Sequence, residues 1–496
     1  MRQADRVESP RRGEPPRWRG KRSTIPLLVV GSIVAVGALV RAQLLDQVIR
    51  RDEAQTYLQF AGSFTAALTD YSQPNNHILH SILVRVSTLL AGGEPWAIRL
   101  PAYLAGVALI GVVYWWVSST AGRRAGYVAA ALVAGSSVLI EYSTIARGYT
   151  MIAVAFVALL EISRRLLIRD TPRLWTAWVL VALLGFVTVP VFALPFAGVA
   201  GWFTFNVVAD LGFTPRRTLL LRGGGAVAVV GALTAVAYLP AVAANGFDAI
   251  VANDFVRGLS WGDLPQLWKA GLVDLEKWLL RDWYVVLAYP VLATVAALHG
   301  PAKADRLFSP ALVLVGPALL VVVQRLAPPE RIWLFLWPLT LGLVGIGARS
   351  VLDRIPRLGS KGWLVGAAAA ILAVVMGWRV LSTDQVILSR EAGIFRDGPE
   401  VADWLVPRLE TDDRVVVESH PRWVLAYYLN RHPVGTANLA RDYANAERLF
   451  VVVYRPRSQE LPSVLAEAHV RTDEFTAPDR VARMDETEIF LAERQN

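Results

Sequence analysis

The sequence predicts an all-α bundle of about eleven membrane-spanning helices, followed by a small α/β domain outside the membrane. Of the 496 residues, 54% are hydrophobic and only 18% are charged, whereas a soluble chain carries about 25% charged residues. Apolar runs of roughly 17 to 25 residues recur along most of the chain, and each is long enough to cross a bilayer. Residues 384–496 depart from this pattern as a polar stretch of domain size.

The apolar runs give the positions of the predicted spans. They lie near residues 25–40, 101–117, 127–140, 150–163, 174–208, 223–243, 283–299, 308–324, 332–347 and 362–382. Basic clusters such as Arg123-Arg124 and Arg216-Arg217 fall in alternate loops, as the positive-inside rule requires. We therefore attribute the net charge of +9 to membrane orientation and not to nucleic-acid binding. The N-terminus is expected in the cytoplasm and the C-terminus outside.

One apolar run, residues 174–208, begins and ends beside basic loops, which a single helix cannot do. The stretch "TVPVFALP" (188–195) lies in its middle. Because proline interrupts the helical hydrogen-bond ladder, this stretch predicts two short helices that meet near the outer surface. Such a break would leave a groove open to lipid.

Three further parts complete the predicted organisation. Residues 1–22 are polar, basic and proline-containing, which predicts a disordered cytoplasmic tail. Residues 23–383 form the membrane domain with outer loops 42–96 and 244–282, and the second loop carries tryptophans typical of interfacial helices. In residues 384–496, "DRVVVES" and "RLFVVVYRP" read as buried strands and "RWVLAYYLN" as a helix between them.

Several ionisable and polar residues cluster on the outer side of this topology. They are Asp52, Glu53, Asn75, Asn76, His77, His80, Glu141, Arg147, Tyr149, Glu330 and Arg331. Such residues at membrane depth are costly, so they pair with one another or mark a functional path. Simpler roles compete at each position: Arg50 and Arg51 as interfacial anchors, His77 and His80 as hydrogen-bonding groups, Glu141 as a helix-end charge, and Asp52 with Arg147 as a structural ion pair.

The residue types present favour one kind of chemistry. The absence of cysteine excludes disulfides, thiol catalysis and zinc bound by cysteine. Arginine holds a phosphate through two parallel charged hydrogen bonds, and a nearby carboxylate can take a proton from an acceptor hydroxyl. A phosphate leaving group needs positive charge and no general acid. One base and one or two arginines therefore suffice for an inverting glycosyl transfer, although these charges also fit an ion-coupled transporter.

Three ordered stretches carry a resemblance to a known family. They are "RRDEAQTY", "QPNNHILHSILVRVSTLLAGGEPWAIRLPAYLAGV" and "EYSTIARGYTM", and a later "PPERIWLFLWP" is added to them. Together they resemble the GT-C glycosyltransferases of the protein O-mannosyltransferase type, especially their bacterial branch that uses polyprenyl-phosphate sugars. The resemblance covers residues 25–210 well and implies a GT-C membrane fold.

The resemblance also implies roles for individual residues. Asp52 would be the catalytic base, with Glu53 supporting it or acting in acceptor or ion binding. Arg147 and Tyr149 would lie near the donor phosphate, and Arg331 would be a second phosphate ligand. His77 stands where the family has a His-Pro-Pro-like segment, for acceptor or ion binding, but "NNHIL" lacks the prolines. The family has no obligatory metal, and its pattern leaves room for a divalent cation that bridges Asp52 or Glu53 and the phosphate.

The leading hypothesis is a multi-pass glycosyltransferase of a bacterial plasma membrane. Its expected partners are a polyprenyl-phosphate-sugar donor, an extracytoplasmic glycan, lipid or protein acceptor, and membrane lipids, with no nucleic acid. A transporter or flippase of lipid-linked sugars is the alternative, and it predicts paired repeats and charges at mid-membrane. A ligase that uses a diphosphate-linked donor would favour a larger, more basic loop than 325–331, and a scaffold would not require the polar cluster.

Overall fold

The computed structural model describes residues 25–209, 215–253, 257–282, 310–354, 362–433, 435–457 and 459–495. The predicted tail at 1–22 and the predicted span at 283–299 lie outside the described residues. The described part of the chain forms a helical bundle followed by a small mixed sheet with its own helices. The prediction of a mostly helical fold with a small sheet is confirmed, whereas the division into domains stays a prediction.

The helices of the bundle follow the apolar runs closely. They are α1 (Ile25–Ala42), α2 (Arg51–Gln55), α3 (Phe64–Thr69), α4 (Ile78–Ala91), α5 (Pro95–Ala121), α6 (Arg123–Gly135), α7 (Ser137–Ser143), α8 (Tyr149–Ile168), α9 (Pro172–Thr188), α10 (Ala193–Val208), α11 (Arg216–Asn245), α12 (Asp248–Val251), α13 (Leu264–Arg281), α14 (Pro310–Gln324), α15 (Leu336–Leu352) and α16 (Gly362–Ser382). A π-helical turn (Thr56–Phe60) continues α2, and 3-10 turns precede α10 (Pro190–Phe192) and α15 (Glu330–Phe335).

Several of these helices are long and apolar enough to cross a membrane. Within the described residues five meet that requirement, or six if the bent pair α6 and α7 is one span. Shorter apolar helices occupy 26–42, 78–91, 172–188 and 312–324. The chain is thus a multi-pass membrane protein, whereas the count of eleven crossings and the orientation of the termini stay predictions.

Proline and serine interrupt two of the predicted spans. Helix α9 ends at Thr188, Pro190 begins a 3-10 turn, and α10 starts at Ala193, so the predicted break in 174–208 is confirmed. The sequence predicted one span at 127–140, but a bend of 61° separates α6 from α7 there. The hydroxyl of Ser136 accepts the Leu139 N–H and caps α7 at this bend, which allows the new helix to start in a different direction.

Small residues allow the bundle helices to approach one another closely. Gly342 of α15 lies against the ring of Trp116 in α5, and a β-carbon at Gly342 would stand only 2.1 Å from a ring carbon. Trp116 is completely buried. Close approach at small residues is the usual packing solution for helices in a bilayer, where burial of apolar surface alone gives no preference between partners.

The last hundred residues form a four-stranded sheet with the strand order β1-β2-β4-β3. The strands are β1 (Arg414–Val417), β2 (Arg448–Tyr454), β3 (Asp479–Arg483) and β4 (Thr487–Glu493), with helices α17 (Gly398–Leu405), α18 (Ser419–Leu429) and α19 (Leu461–Glu467). β1 pairs with β2 in parallel, and the other pairs are antiparallel. Both predicted strands and the helix between them are confirmed, whereas β3 and β4 were not predicted.

Candidate functional site

A cavity of about 570 Å³ brings together most of the predicted site residues. Its polar end is formed by Asn75, His77, Arg147, Tyr149 and Arg331. The rest of the lining is largely apolar, and it includes Val189, Pro190, Val191, Ala193, Leu194, Ile250, Val251, Leu320, Val323, Leu326 and Ile332. The break between α9 and α10 therefore forms one wall of the cavity. A chamber with a cationic end and an apolar wall suits an anionic head group attached to a hydrocarbon chain.

Arg147 lies in the turn between α7 and α8 and is almost completely buried. Its Nη1 donates to the backbone oxygen of Asn75 at 3.1 Å, and its Nη2 donates to the side-chain oxygen of the same residue. Its Nε has no hydrogen-bond partner among the described residues. The asparagine thus fixes the orientation of the guanidinium, and donor capacity is left for a ligand.

His77 is fixed in one tautomer by the backbone beside Arg147. The N–H of Gly148 donates to Nδ1 at 2.9 Å. Burial, followed by the charge of Arg147, holds the pKa of His77 well below its usual range, so the imidazole is neutral and carries its proton on Nε2. Nε2 lies 3.1 Å from Nη2 of Arg147. Both nitrogens then carry protons, and an anionic oxygen within hydrogen-bond distance of the two, beside the pair, would accept from both donors.

Tyr149, two residues after Arg147, and Arg331, from a distant part of the chain, complete the polar end. Tyr149 is the first residue of α8, and its ring packs edge-on against His77 with 4.9 Å between the ring centres. Arg331 lies in the 3-10 turn before α15, and its Nε donates to the Tyr149 hydroxyl at 3.2 Å. Its Nη1 stands 3.8 Å from Glu391, which leaves this guanidinium only loosely paired.

Asp52 and Glu53 are neighbours in α2, but their surroundings differ. Asp52 accepts a hydrogen bond from the partly exposed Arg51 at 2.9 Å and interacts electrostatically with Arg331. It is absent from the described residues that line the cavity. Glu53 is completely buried and accepts four hydrogen bonds, two from Arg99 at 2.8 and 2.6 Å, one from the Ala146 N–H at 2.7 Å and one from the Arg50 N–H at 2.8 Å.

The burial of Glu53 bears on its predicted role. Its two oxygens already hold four donors, so little acceptor capacity remains for an incoming hydroxyl or a cation. The geometry favours a structural role, in which Glu53 joins the loop around Asp52 to α5 through Arg99 and to the Arg147 turn through Ala146. The alternative of acceptor or ion binding stays a prediction that this arrangement does not favour.

Two buried arginines have roles that sequence reasoning did not find. Arg99 also donates to the backbone oxygens of Leu45, Gln47 and Val48, at 2.6 to 3.0 Å, and so holds the loop before α2. Arg50 was expected at the membrane interface, but it is completely buried. The expectation was wrong because the described residues that follow α16, which we name the C-terminal region, cover this loop. The carbonyls of Val386, Ser389 and Glu391 in this region accept hydrogen bonds from the guanidinium.

A second cavity, of about 440 Å³, lies on the other side of the 3-10 turn. Its polar lining includes Glu141, Lys277, Arg281, Glu330 and Glu391. Burial, together with the nearby charges of Glu330 and Glu141 and in spite of Arg331, raises the pKa of Glu391 to about 7. Glu141 forms an ion pair with Arg281 and lies 3.6 Å from Arg50. Most residues that line this cavity are charged or polar, whereas most residues that line the first are apolar.

The described residues contain no group of three or more His, Asp or Glu side chains arranged to hold a metal ion. A cation that bridges Glu53 and a phosphate does not fit the geometry, because the Glu53 oxygens already accept four hydrogen bonds. Of the two acids, only Asp52 keeps free acceptor capacity: Arg51 donates to its Oδ1 and not to its Oδ2. We derive no step through a metal.

The sequence analysis did not predict one positively charged residue that lines the first cavity. Arg325 lines the first cavity together with Gln324, and its backbone has the positive φ of 53° that is uncommon outside glycine. Its position just before "PPERIW" could have drawn attention to it. The tight turn that brings it to the cavity is not visible in composition or periodicity.

Comparisons with known proteins agree with the fold. Residues 73–239 match the family model for dolichyl-phosphate-mannose-protein mannosyltransferase. Over 95% of its length the chain matches 98% of ArnT from Cupriavidus metallidurans bound to undecaprenyl phosphate, with 16% identity and a TM-score of 0.59. It also matches 72% of an oligosaccharyltransferase from Archaeoglobus fulgidus in complex with Zn and sulfate, over 92% of its own length, with 11% identity and a TM-score of 0.53. No curated protein matches the sequence significantly.

These findings define the class first. The fold is the one found in ArnT and in the archaeal oligosaccharyltransferase, and these matches agree with the resemblance found in the sequence. Within that class, residues 73–239 are similar to the protein mannosyltransferase family. That segment contains His77, Arg147 and Tyr149, three of the residues at the polar end of the cavity.

Proposed function

We propose that this protein is a membrane glycosyltransferase that moves one monosaccharide from a polyprenyl-phosphate-linked donor to an extracytoplasmic acceptor, with inversion at the sugar. The observation that carries the proposal is the first cavity, which joins a cluster of N–H donors to an apolar wall. The matching fold of ArnT bound to undecaprenyl phosphate supports a lipid phosphate as its occupant. No observation favours the transporter alternative.

The donor phosphate fits the polar end of the cavity. Arg147 and Arg331 supply the positive charge, and the Nε2–H of His77 supplies a neutral donor beside Arg147. These groups are held before the reaction by Asn75, Gly148 and Tyr149, so no reorganisation is needed as charge develops on the leaving oxygen. The isoprenoid chain follows the wall formed by the break between α9 and α10.

The transfer step follows from this arrangement. The acceptor oxygen forms a bond to the anomeric carbon as the bond from that carbon to the phosphate oxygen breaks, and its electron pair leaves with the phosphate. Asp52 takes the proton of the acceptor hydroxyl. Attack from the face opposite the phosphate inverts the anomeric centre. Asp52 interacts electrostatically with Arg331, which keeps the base and the phosphate site in one neighbourhood.

The experiment that tests the function is a transfer assay with purified protein in lipid nanodiscs. Radiolabelled polyprenyl-phosphate sugars and extracts of cell-envelope glycans are supplied, and the wild type is compared with Asp52→Asn. The amide keeps the size of the side chain but cannot take a proton. We expect label in an acceptor-bound product with the wild type, and a loss of about 10²- to 10⁴-fold in the variant.

Two results would contradict the proposal in different ways. Transfer by Asp52→Asn at the wild-type rate would show that Asp52 is not the base, while the glycosyltransferase activity would stand. Tight binding of undecaprenyl phosphate without any transfer, together with movement of labelled lipid across the bilayer, would instead favour a flippase. An Arg147→Lys variant serves as a check on the phosphate site, because a lysine cannot reproduce the paired hydrogen bonds of a guanidinium.

A further inference from the structure

The first turn of the helix that carries Asp52 is held by a distant part of the chain. Helix α2 starts at Arg51, and the first N–H groups of any helix lack partners within it. Here the Arg51 N–H donates to the Gly393 oxygen at 2.7 Å, and the Asp52 N–H donates to the Ala392 oxygen at 3.1 Å. Residues 386–393, which we name the brace segment, thus take the place of a capping side chain.

The side chain of Arg50 strengthens the same contact. Its Nη1 donates to the oxygens of Ser389 at 3.2 Å and Glu391 at 2.7 Å, and its Nη2 donates to the oxygen of Val386 at 2.7 Å. Arg50 is completely buried, so these hydrogen bonds form away from competing water. One arginine therefore ties three carbonyls of the brace segment to the residue two places before Asp52.

The apolar contacts continue this connection into the C-terminal region. Ile49 and Ala54, on either side of Asp52, belong to the same buried cluster as Phe395, Val424 and Tyr427. The Ile49 N–H also donates to the Tyr428 hydroxyl at 3.1 Å. The loop around Asp52 is therefore packed between the bundle and the C-terminal region, because Ile98 and Ala146 of the bundle belong to the same cluster. Arg147 and His77 are held by the bundle.

We infer that the brace segment and helix α18 are positioning elements of the active site, which set the place of Asp52 relative to the donor phosphate. The inference rests on the proposed function in so far as Asp52 is the base. It assigns the C-terminal region a part in turnover: the donor site belongs to the bundle, whereas the base is placed by contacts from the bundle and from the C-terminal region together. Donor binding and catalysis should then respond separately to changes in the brace segment.

Gly393 offers a sharp way to disturb this contact. It has a φ of +74°, and a β-carbon there would stand 2.5 Å from Cε1 of His420 and 2.9 Å from Cβ of Arg51. Gly435 provides a matched control in the same region. It also has a positive φ, of +63°, but a β-carbon there meets nothing within 4 Å. Alanine strains the backbone at both positions. Only Gly393→Ala adds a steric clash with the loop of Asp52, because only there does the β-carbon meet Arg51.

The test compares full-length wild type, Gly393→Ala and Gly435→Ala in nanodiscs. Transfer kinetics with a labelled polyprenyl-phosphate sugar are measured together with hydrogen exchange of residues 48–56. For Gly393→Ala we expect a kcat lower by about tenfold or more, since small misplacements of a catalytic group are costly. The KM for the donor and the affinity for undecaprenyl phosphate should stay within about twofold. The amides of Arg51 and Asp52 should exchange faster, and Gly435→Ala should match the wild type in each measurement.

A second variant covers the case in which Gly393→Ala fails to fold. Tyr428→Phe removes only the hydroxyl that accepts from Ile49, and we expect faster exchange at Ile49 and a smaller fall in kcat. The inference is overturned if both variants keep the wild-type kcat and exchange, or if kcat and donor affinity fall together. If the wild type transfers no sugar from any donor, the proposed function fails and the catalytic part of this inference with it. The exchange rates would still decide whether the brace segment holds the loop.

Discussion

At the scale of single residues, the site separates side chains that look equivalent in the sequence. Asp52 and Glu53 are adjacent acids on one short helix, and successive residues on a helix point about 100° apart. Glu53 is therefore buried and accepts hydrogen bonds from four donors, while Asp52 contacts Arg51 and interacts electrostatically with Arg331. The carboxylate with free acceptor capacity is the better candidate for a base, and the saturated one is the better candidate for a structural anchor.

His77 leads to a prediction about donor binding. In His77→Gln the side-chain amide nitrogen reaches the place of Nε2 and keeps a donor directed at the phosphate. In His77→Asn the side-chain amide reaches only the place of Nδ1, so it keeps the contact with Gly148 and loses that donor. A hydrogen bond to a charged group is worth about 1.5–3 kcal/mol, so we expect His77→Asn to bind undecaprenyl phosphate at least about tenfold more weakly. Titration followed by tryptophan fluorescence measures both variants against the wild type.

The comparison of the two His77 variants also contains its control. Equal losses in His77→Gln and His77→Asn would mean that the imidazole ring matters for packing against Tyr149 and not for its Nε2–H. Wild-type affinity in both variants would show that His77 does not contribute to phosphate binding. Neutral imidazole also implies that the effect of the substitution is constant above about pH 6, because no charge on His77 is titrated there.

At the scale of elements, the break between α9 and α10 shapes the donor cavity. Thr188 ends α9, and the chamber is lined by Val189, Pro190, Val191, Ala193 and Leu194. Phe192 within the 3-10 turn is completely buried against α9. The ring is close to Gly185, where a β-carbon would stand 2.4 Å from Cε1. The glycine is thus required by the close approach of the turn to the helix that precedes it.

Gly185→Ala should disturb this wall from behind. The added methyl group must displace the Phe192 ring, and overpacking of this kind costs about 1–3 kcal/mol. We expect a lower Tm and weaker binding of undecaprenyl phosphate, measured by thermal denaturation and titration in the same detergent. Gly201→Ala in α10 is the matched control, because a β-carbon there meets nothing within 4 Å. Unchanged binding in both variants would show that the break does not form the wall of the donor site.

At the scale of the whole molecule, the bundle and the C-terminal region meet at a set of buried charges. Glu391 of the brace segment faces Glu330 and Arg331 of the 3-10 turn and Glu141 of α7. Arg50 and Arg281 approach Glu141 from the other side. Several charges from separate parts of the chain thus balance one another at the boundary between the two cavities. Replacement of one of these charged side chains by a neutral one would leave its partner buried without an opposite charge, which lowers the stability of the folded protein.

The raised pKa of Glu391 predicts how stability depends on pH. Between its ordinary value of 4.5 and about 7, the folded chain keeps a proton that the unfolded chain has lost. The free energy of unfolding should therefore fall as the pH rises through this window, by up to about 3 kcal/mol. Glu391→Gln removes this contribution, so wild type should lose stability relative to the variant from pH 4.5 to 7 in denaturation curves. Glu400→Gln, at an exposed position of α17, serves as the control. A constant difference between wild type and Glu391→Gln across this range would contradict the prediction.

Much of the fold was predictable because its signals are local. The apolar runs predicted the helices, the prolines of "TVPVFALP" predicted the break, and two runs of valine predicted β1 and β2. β3 and β4 escaped notice because "DRVAR" and "TEIFLAE" carry charges that blur the apolar alternation of strands. The bend in the predicted span at 127–140 was missed because serine at 136 caps a helix only when the surroundings place it so.

The candidate site was predictable in its residues but not in its partners. His77, Arg147, Tyr149 and Arg331 were identified from the sequence, and the structure brings all four to one cavity from three separate parts of the chain. Arg325, and the role of Asn75 in orienting Arg147, were not foreseen. Such contacts join residues 70 or more positions apart, and nothing in a local pattern reports which distant segment will lie alongside.

The sequence by itself determined the class of this protein, a helical membrane bundle with a cluster of cationic and polar residues, because hydrophobicity, charge and proline act over a few residues and are readable there. Only the tertiary structure decided that Glu53 is saturated while Asp52 keeps acceptor capacity, and that Arg50 is buried and not interfacial. It also decided that the C-terminal region holds the loop of Asp52. These outcomes depend on which carbonyl and guanidinium groups come into contact. For Arg50, those groups belong to segments more than 300 residues apart in the sequence.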